Sequence, residues 1–157
     1  MRLALHQAKR AASLGEVPVG AVLVANGVAL VKTHNRTYCD TDPAGHAELL
    51  ALRRGALLQQ SPRLTGCTLY VTLEPCCMCI GAMIHARVER LVYAACEPKT
   101  GAVQSAFELA TSEGHNHQFD ITAGVLADES ARLMREFFVA RRQEQRTRKE
   151  ALKRDDR

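Results

Sequence analysis

One junction constrains this chain more than any other stretch: the run CTLYVTL at residues 67–73 passes through Glu74 into Pro75, Cys76, Cys77, Met78 and Cys79. A short β-branched and apolar run predicts a buried strand. Proline then ends the ladder and opens the helix predicted over the segment that follows. LVYAAC at residues 91–96 reads as a second buried strand. Strand, helix, strand with so short a crossover implies a parallel pair in a layered α/β domain. Cys76 and Cys79, at i and i+3, share one face of the helix's first turn. There the helix dipole favours thiolate over thiol.

The remaining elements follow from periodicity and turn chemistry. A first amphipathic helix is expected over roughly Arg2 to Leu14, ended by Gly15 and Pro18. GAVLVANGVALVKTHN predicts a hairpin about Asn26-Gly27, a strong short turn signal. A loop runs from Asn35 to Ala44. HAELLALRRGALLQQ is helical, with Leu49, Leu52, Ala56 and Leu57 predicted as its apolar face. QSAFELA predicts a short helix, FDITAG a short strand, and Ala127 to about Lys149 a long helix. One domain over residues 1–157, ending in a basic tail, is expected at this length.

The second informative motif is His46-Ala47-Glu48, thirty residues before Cys76. One imidazole and two thiolates suit zinc better than a harder cation. Three protein ligands leave a coordination position for water, the arrangement of a catalytic zinc. Zinc lowers the pKa of bound water to about 7. Glu48 lies two residues from His46, so the two share a site only if His46 reaches in from the helix start. Glu48 is then a proton shuttle, not a ligand. An H-x-E motif joined to P-C-x-x-C is a known signature of zinc deaminases.

Six cysteines, three of them within residues 76–79, fit metal ligation better than a disulfide framework. Cys39, Cys67 and Cys77 are expected to pack as small hydrophobes, and Cys96 to be structural. The N-terminal segment lacks the apolar centre of a signal peptide, and no stretch is long and apolar enough for a membrane span. A cytoplasmic location is expected. Net charge is +4, and residues 141–157 hold eight Lys/Arg against four Asp/Glu. That basic end suits an acidic partner such as RNA, or simply solvates a helix end.

With these residues quoted, the chain resembles the bacterial tRNA adenosine deaminase family over nearly its whole length. The resemblance is carried by EVPVGAVLV (Glu16 to Val24), HAE, TLYVTLEPCCMCIGAMIHARVERLVYAA (Thr68 to Ala95), KTGA (Lys99 to Ala102), Asn116-His117, ITAGVLADE (Ile121 to Glu129) and Phe137-Phe138. It implies a cytidine-deaminase-like fold of three layers, with a five-stranded mixed sheet flanked by helices. It implies a homodimer with one zinc per subunit, acting on the wobble adenosine of a tRNA anticodon stem-loop. It implies that Glu48 is catalytic and that His46, Cys76 and Cys79 bind the metal. Asn35 and the Ala47 backbone N–H would contact the base, and Val19 and Met83 would wall the pocket. Glu97, Lys99, Asn116, His117 and Phe138 would lie against the RNA. Relatives often carry Asp-Ala where this chain has Glu97-Pro98.

Two other readings stay open at this level. A deaminase of a free base or nucleoside would use the same metal and glutamate, although many cytidine enzymes carry Cys-Ala-Glu at the first motif. A structural zinc module would need a fourth ligand, Cys77 or Cys39, and leaves Glu48 without a role.

Overall fold

The computed structural model describes residues 1–155, so the end of the tail expected to reach Arg157 lies outside the described residues. Helix α1 spans Arg2–Ser13, followed by strands β1 (Gly20–Ala25) and β2 (Val28–His34), and helix α2 (Ala47–Gln59). Strand β3 (Cys67–Leu73), helix α3 (Cys77–Ala86) and strand β4 (Arg90–Ala95) form the central crossover unit. Strand β5 (Asp120–Thr122) and helix α4 (Ala127–Asp155) complete the order. The five strands form one sheet, β2-β1-β3-β4-β5. β1 is antiparallel to β2 and β3, whereas β3, β4 and β5 run parallel.

The hairpin closes through Asn26 (φ 51°) and Gly27 (φ 74°), a pair of left-handed residues matching the strand twist. Alternate strand residues then serve two helical layers. Leu23, Leu69, Val71, Leu91 and Tyr93 belong to the core that also holds Ala47, Ala51, Ile80 and Met83 of α2 and α3. Val22, Val92 and Ala94 are buried outside that cluster, and α1 and α4, which touch one another, cover the sheet too. Here α1 lies so close to β1 that a Cβ on Gly20 would run into the backbone of Ala4 and Ala8. The Ser130 hydroxyl at the start of α4 donates to the Thr72 carbonyl of β3.

Three expectations are corrected. Leu57 is 78% exposed. The buried face of α2 is Ala47, Glu48, Leu49, Ala51, Leu52 and Gly55, so Leu49 and Leu52 are buried as expected, and small residues let the helix settle onto the sheet, with Gly55 against Leu23. QSAFELA forms turns and a single 3₁₀ turn at Leu109–Thr111. The backbone N–H groups of Val103, Gln104 and Ser105 are turned toward the Glu74 carboxylate, and those of Ala106 and Phe107 both close on the Gly101 carbonyl, so the chain turns instead of winding on. Finally, α4 continues past Lys149 to Asp155.

Candidate metal centre and substrate cleft

Both motifs place a ligand at the same kind of position. His46 is the N-cap of α2 (φ −74°, ψ 143°) and Cys76 the N-cap of α3 (φ −78°, ψ 173°). Extended backbone at an N-cap swings the side chain away from the helix that follows. This explains how His46 and Glu48 serve one site although an ideal helix would separate them. Cys79, in the first turn of α3, is fully buried beneath Cys76.

The three donor atoms form a compact triangle. Cys76 Sγ lies 3.7 Å from His46 Nδ1 and 3.7 Å from Cys79 Sγ, and Cys79 Sγ lies 3.5 Å from His46 Nδ1. Ligands of a tetrahedral zinc, at about 2.3 Å for sulfur and about 2.0–2.1 Å for nitrogen, would stand roughly 3.5–3.8 Å apart. The donor set and its edges therefore fit zinc. Among the described residues this is the one His/Cys/Asp/Glu group so arranged. The Cys79 thiol donating to Cys76, together with His46, brings the Cys76 thiol down to about 4. Cys79, which keeps the shared proton and is buried, is pushed up, and His46 is raised by the Cys76 sulfur beside it.

Glu48 is buried, and its Oε2 has no hydrogen-bond partner in the protein. Burial pushes its carboxyl pKa up, against the pull of a backbone N–H and His46. A buried, unpartnered carboxylate costs several kcal/mol unless something else meets it. A carboxyl so placed beside a metal-donor triangle can take up and release a proton.

The centre opens into a cleft of about 270 Å³ at the carboxyl ends of β3 and β4. Among the residues named from sequence, Val19, Asn35, His46, Glu48, Cys76, Glu97 and Phe138 line it. Asn35 is fixed by its Oδ1, which accepts the Ala47 N–H at 2.9 Å. That bond occupies the Ala47 N–H expected to contact the base. Met83 is fully buried in the core behind the cleft. Lys99 sits on the exposed turn, its N–H donating to Glu97 Oε1 at 2.9 Å. Asn116 and His117 are at the other end of the sheet. They precede β5, whose Asp120 pairs with Arg90 at the start of β4, opposite the carboxyl edge. There the Asn116 carbonyl accepts from Arg87, and the His117 ring bonds the Val88 carbonyl at 2.7 Å. Cys39 and Cys77, expected to pack, are exposed, and neither joins the donor triangle.

Two carboxylates that sequence reading missed shape the walls. Glu74 Oε1 accepts from the N–H groups of Val103 (3.0 Å), Gln104 (2.8 Å) and Ser105 (3.0 Å). Its Oε2 accepts from Glu97 N–H (3.0 Å) and the Ser105 hydroxyl. Burial works to raise its pKa, but these donors outweigh it and hold the carboxyl below its ordinary value. The segment so gathered carries Glu97 and Thr100 along one wall and pairs Gly101 with Cys76. On the other wall, fully buried Glu16 accepts from the N–H groups of Tyr38 (2.8 Å) and Cys39 (2.7 Å). The only hint in the sequence was an acidic residue inside each apolar run.

Known proteins bear on this geometry. The sequence model of the cytidine and deoxycytidylate deaminase zinc-binding region matches residues 1–95. A tRNA-specific adenosine deaminase of Haemophilus influenzae is 46% identical over 98% of this chain and 89% of its own. A solved structure from work on A-to-I editing by tRNA:A34 deaminases at the wobble position is 41% identical, with a TM-score of 0.82 over 85% of this chain and 96% of that one. The guanine deaminase of Nitrosomonas europaea is 26% identical, with a TM-score of 0.72 over 85% of this chain and 80% of that one. With its ligand triangle, buried glutamate and five-stranded mixed sheet, this chain belongs to the zinc-binding cytidine and deoxycytidylate deaminase family, on the branch that holds the tRNA-specific adenosine deaminases.

Proposed function

We propose that this chain, acting as one deaminase domain, hydrolyses adenosine to inosine at the wobble position of a tRNA anticodon. The observation that carries the chemistry is the unpartnered Glu48 Oε2 beside three converging metal donors at the floor of a base-sized cleft. The relatives named for tRNA adenosine deamination support the substrate.

His46, Cys76 and Cys79 would hold the zinc. Zinc, when bound, acts as a Lewis acid that acidifies the attacking water. Glu48 removes a proton from that water as its oxygen adds to C6 of an adenine turned out of the stack. The buried carboxyl holds that proton and then delivers it to the ring nitrogen. It carries the second proton to the departing amine, so ammonia leaves and inosine remains. Asn35, locked by the Ala47 N–H, takes no protein acceptor for its amide nitrogen among the described residues and offers it to the base edge. Val19 walls the base, and Glu97 and Phe138 at the rim meet flanking nucleotides. Exposed Tyr38 lines the same rim, which suits a nucleotide entering on a strand more than a free base enclosed on all sides.

The protein would work as a homodimer in the cytoplasm; among the described residues no helix is long and apolar enough to cross a membrane. The test is incubation with an unmodified anticodon stem-loop bearing a wobble adenosine, followed by inosine detection, alongside free adenosine, cytidine and guanine. Turnover of the stem-loop alone supports the proposal. Turnover of a free base without the stem-loop refutes it.

A further inference from the structure

Helix α4 leaves the body of the protein at Phe138. Upstream, Met134 and Phe138 line the cleft. Downstream, every side chain described through Leu152 is exposed except half-buried Arg141. From Phe138 to Lys149 the axis advances about 16 Å. Packing therefore does not choose the residues on this stretch.

Its charges are nonetheless sorted around the axis. At about 100° per residue, Arg135, Arg141, Arg142 and Lys149 fall within roughly 60° of Phe138, on the side that lines the cleft. Glu136, Glu144 and Glu150 fall roughly 120° or more away. Most of the ion pairs lie off this side, Arg141 being the cleft-side cation that is paired. Arg132 meets Glu136 at 3.9 Å, Arg141 meets Glu144 at 3.7 Å and Arg146 meets Glu150 at 3.2 Å. Arg135, Arg142 and Lys149, seven residues apart, take no carboxylate partner among the described residues. A helix end built for solubility would gain by pairing cations on every face. No apolar side chain shares the stripe between Arg141 and Lys149, which argues against a second protein surface as its partner.

We propose that this stripe is a phosphate rail, binding the backbone of the RNA strand that leaves the cleft beside the deaminated nucleotide. It rests on the RNA reading of the cleft. Exposed Lys and Arg without partners bind phosphates by releasing counterions, so the contact is strong at low salt and indifferent to sequence.

The experiment compares wild type with the triple variant Arg135→Gln, Arg142→Gln, Lys149→Gln, with circular dichroism checking that α4 is retained. Fluorescence anisotropy with a labelled anticodon stem-loop is followed across a salt series, and turnover is measured on the same RNA. The variant should bind at least about tenfold more weakly near 0.1 M salt, with a log–log salt slope shallower by about 2–3. Its kcat at saturation should stay within about twofold of wild type. A loop-only oligonucleotide, too short to leave the cleft, should bind both proteins equally. Arg135→Lys with Arg142→Lys should retain binding, since a phosphate contact needs a point charge. Unchanged affinity and slope, equal loss on the short oligonucleotide, or a change in oligomeric state in place of RNA affinity would each overturn the rail. Wild type that binds the stem-loop through the stripe yet makes no inosine would overturn the deaminase reading and leave the rail standing.

Discussion

Replacing Glu74 by Gln should damage the protein without touching a metal ligand. One carboxylate receives four backbone N–H groups and one hydroxyl. Hydrogen bonds to a charged acceptor contribute about 1.5–3 kcal/mol each, and a buried donor left unmet costs about 1–3 kcal/mol. Gln keeps one oxygen for the three donors at residues 103–105 but points an NH₂ at the Glu97 N–H and the Ser105 hydroxyl. The Ser105 hydroxyl can turn and accept from that NH₂, so one bond is lost and the Glu97 N–H faces a donor, for a net loss of about 1–3 kcal/mol. The larger truncation to Ala strips every partner from a 2% exposed site and should cost about 4 kcal/mol or more, much of a typical total stability. Urea unfolding measures both. The sign of the pH dependence adds a second check. Because the folded carboxyl pKa is depressed, the stabilisation is complete above the unfolded value of about 4.3 and fades as pH falls through the folded one. The gap between wild type and Glu74→Gln should therefore narrow in acid. A loss below about 1 kcal/mol at neutral pH, or a gap that widens on acidification, would refute this account of the loop.

Glu48→Gln should retain one zinc per chain by elemental analysis while inosine formation falls by at least about a hundredfold, the low end for losing a general acid–base; comparable turnover would remove Glu48 from proton transfer. Cys79→Ser should lose zinc, whereas Cys39→Ser and Cys77→Ser, at exposed positions outside the triangle, should keep both metal and activity; zinc loss in either would mean a fourth protein ligand. Tyr93→Phe removes a buried hydroxyl that has no partner, so stability should hold or rise by up to about 1 kcal/mol, and a clear loss in thermal unfolding would reveal a bond to that oxygen. Gly101→Ala sets a Cβ 2.5 Å from the Glu74 carboxyl carbon and should cost about 1–3 kcal/mol in the same unfolding assay, while an unchanged midpoint would show that the loop yields freely.

The hairpin, the crossover unit and the metal triangle were legible because each rests on local chemistry. Asn26-Gly27 fixes its turn, and proline followed by two cysteines at i and i+3 fixes a helix start with two ligands. What escaped depends on distance through space. Leucine spacing mispredicted the outer face of α2 because Ala51 and Gly55, not Leu57, meet the sheet. The helix expected at QSAFELA was overridden by a carboxylate some thirty residues earlier in the chain. Asn116 and His117 were placed against the RNA by resemblance, and strand direction sets them at the edge of the sheet opposite the cleft. Glu16 and Glu74 gave no periodic signal at all, since each acts on backbone groups that only the folded chain brings near.

Those two glutamates divide the labour of the molecule. The donor triangle is seated on the starts of two core helices, but two of the walls above it hang on loops, each clasped by its own acid. Insertions or exchanges in residues 36–42 or 97–105 could therefore re-cut the mouth without retuning the chemistry below. A chain that keeps the clasp and the seat is free to change the lip that meets its guest.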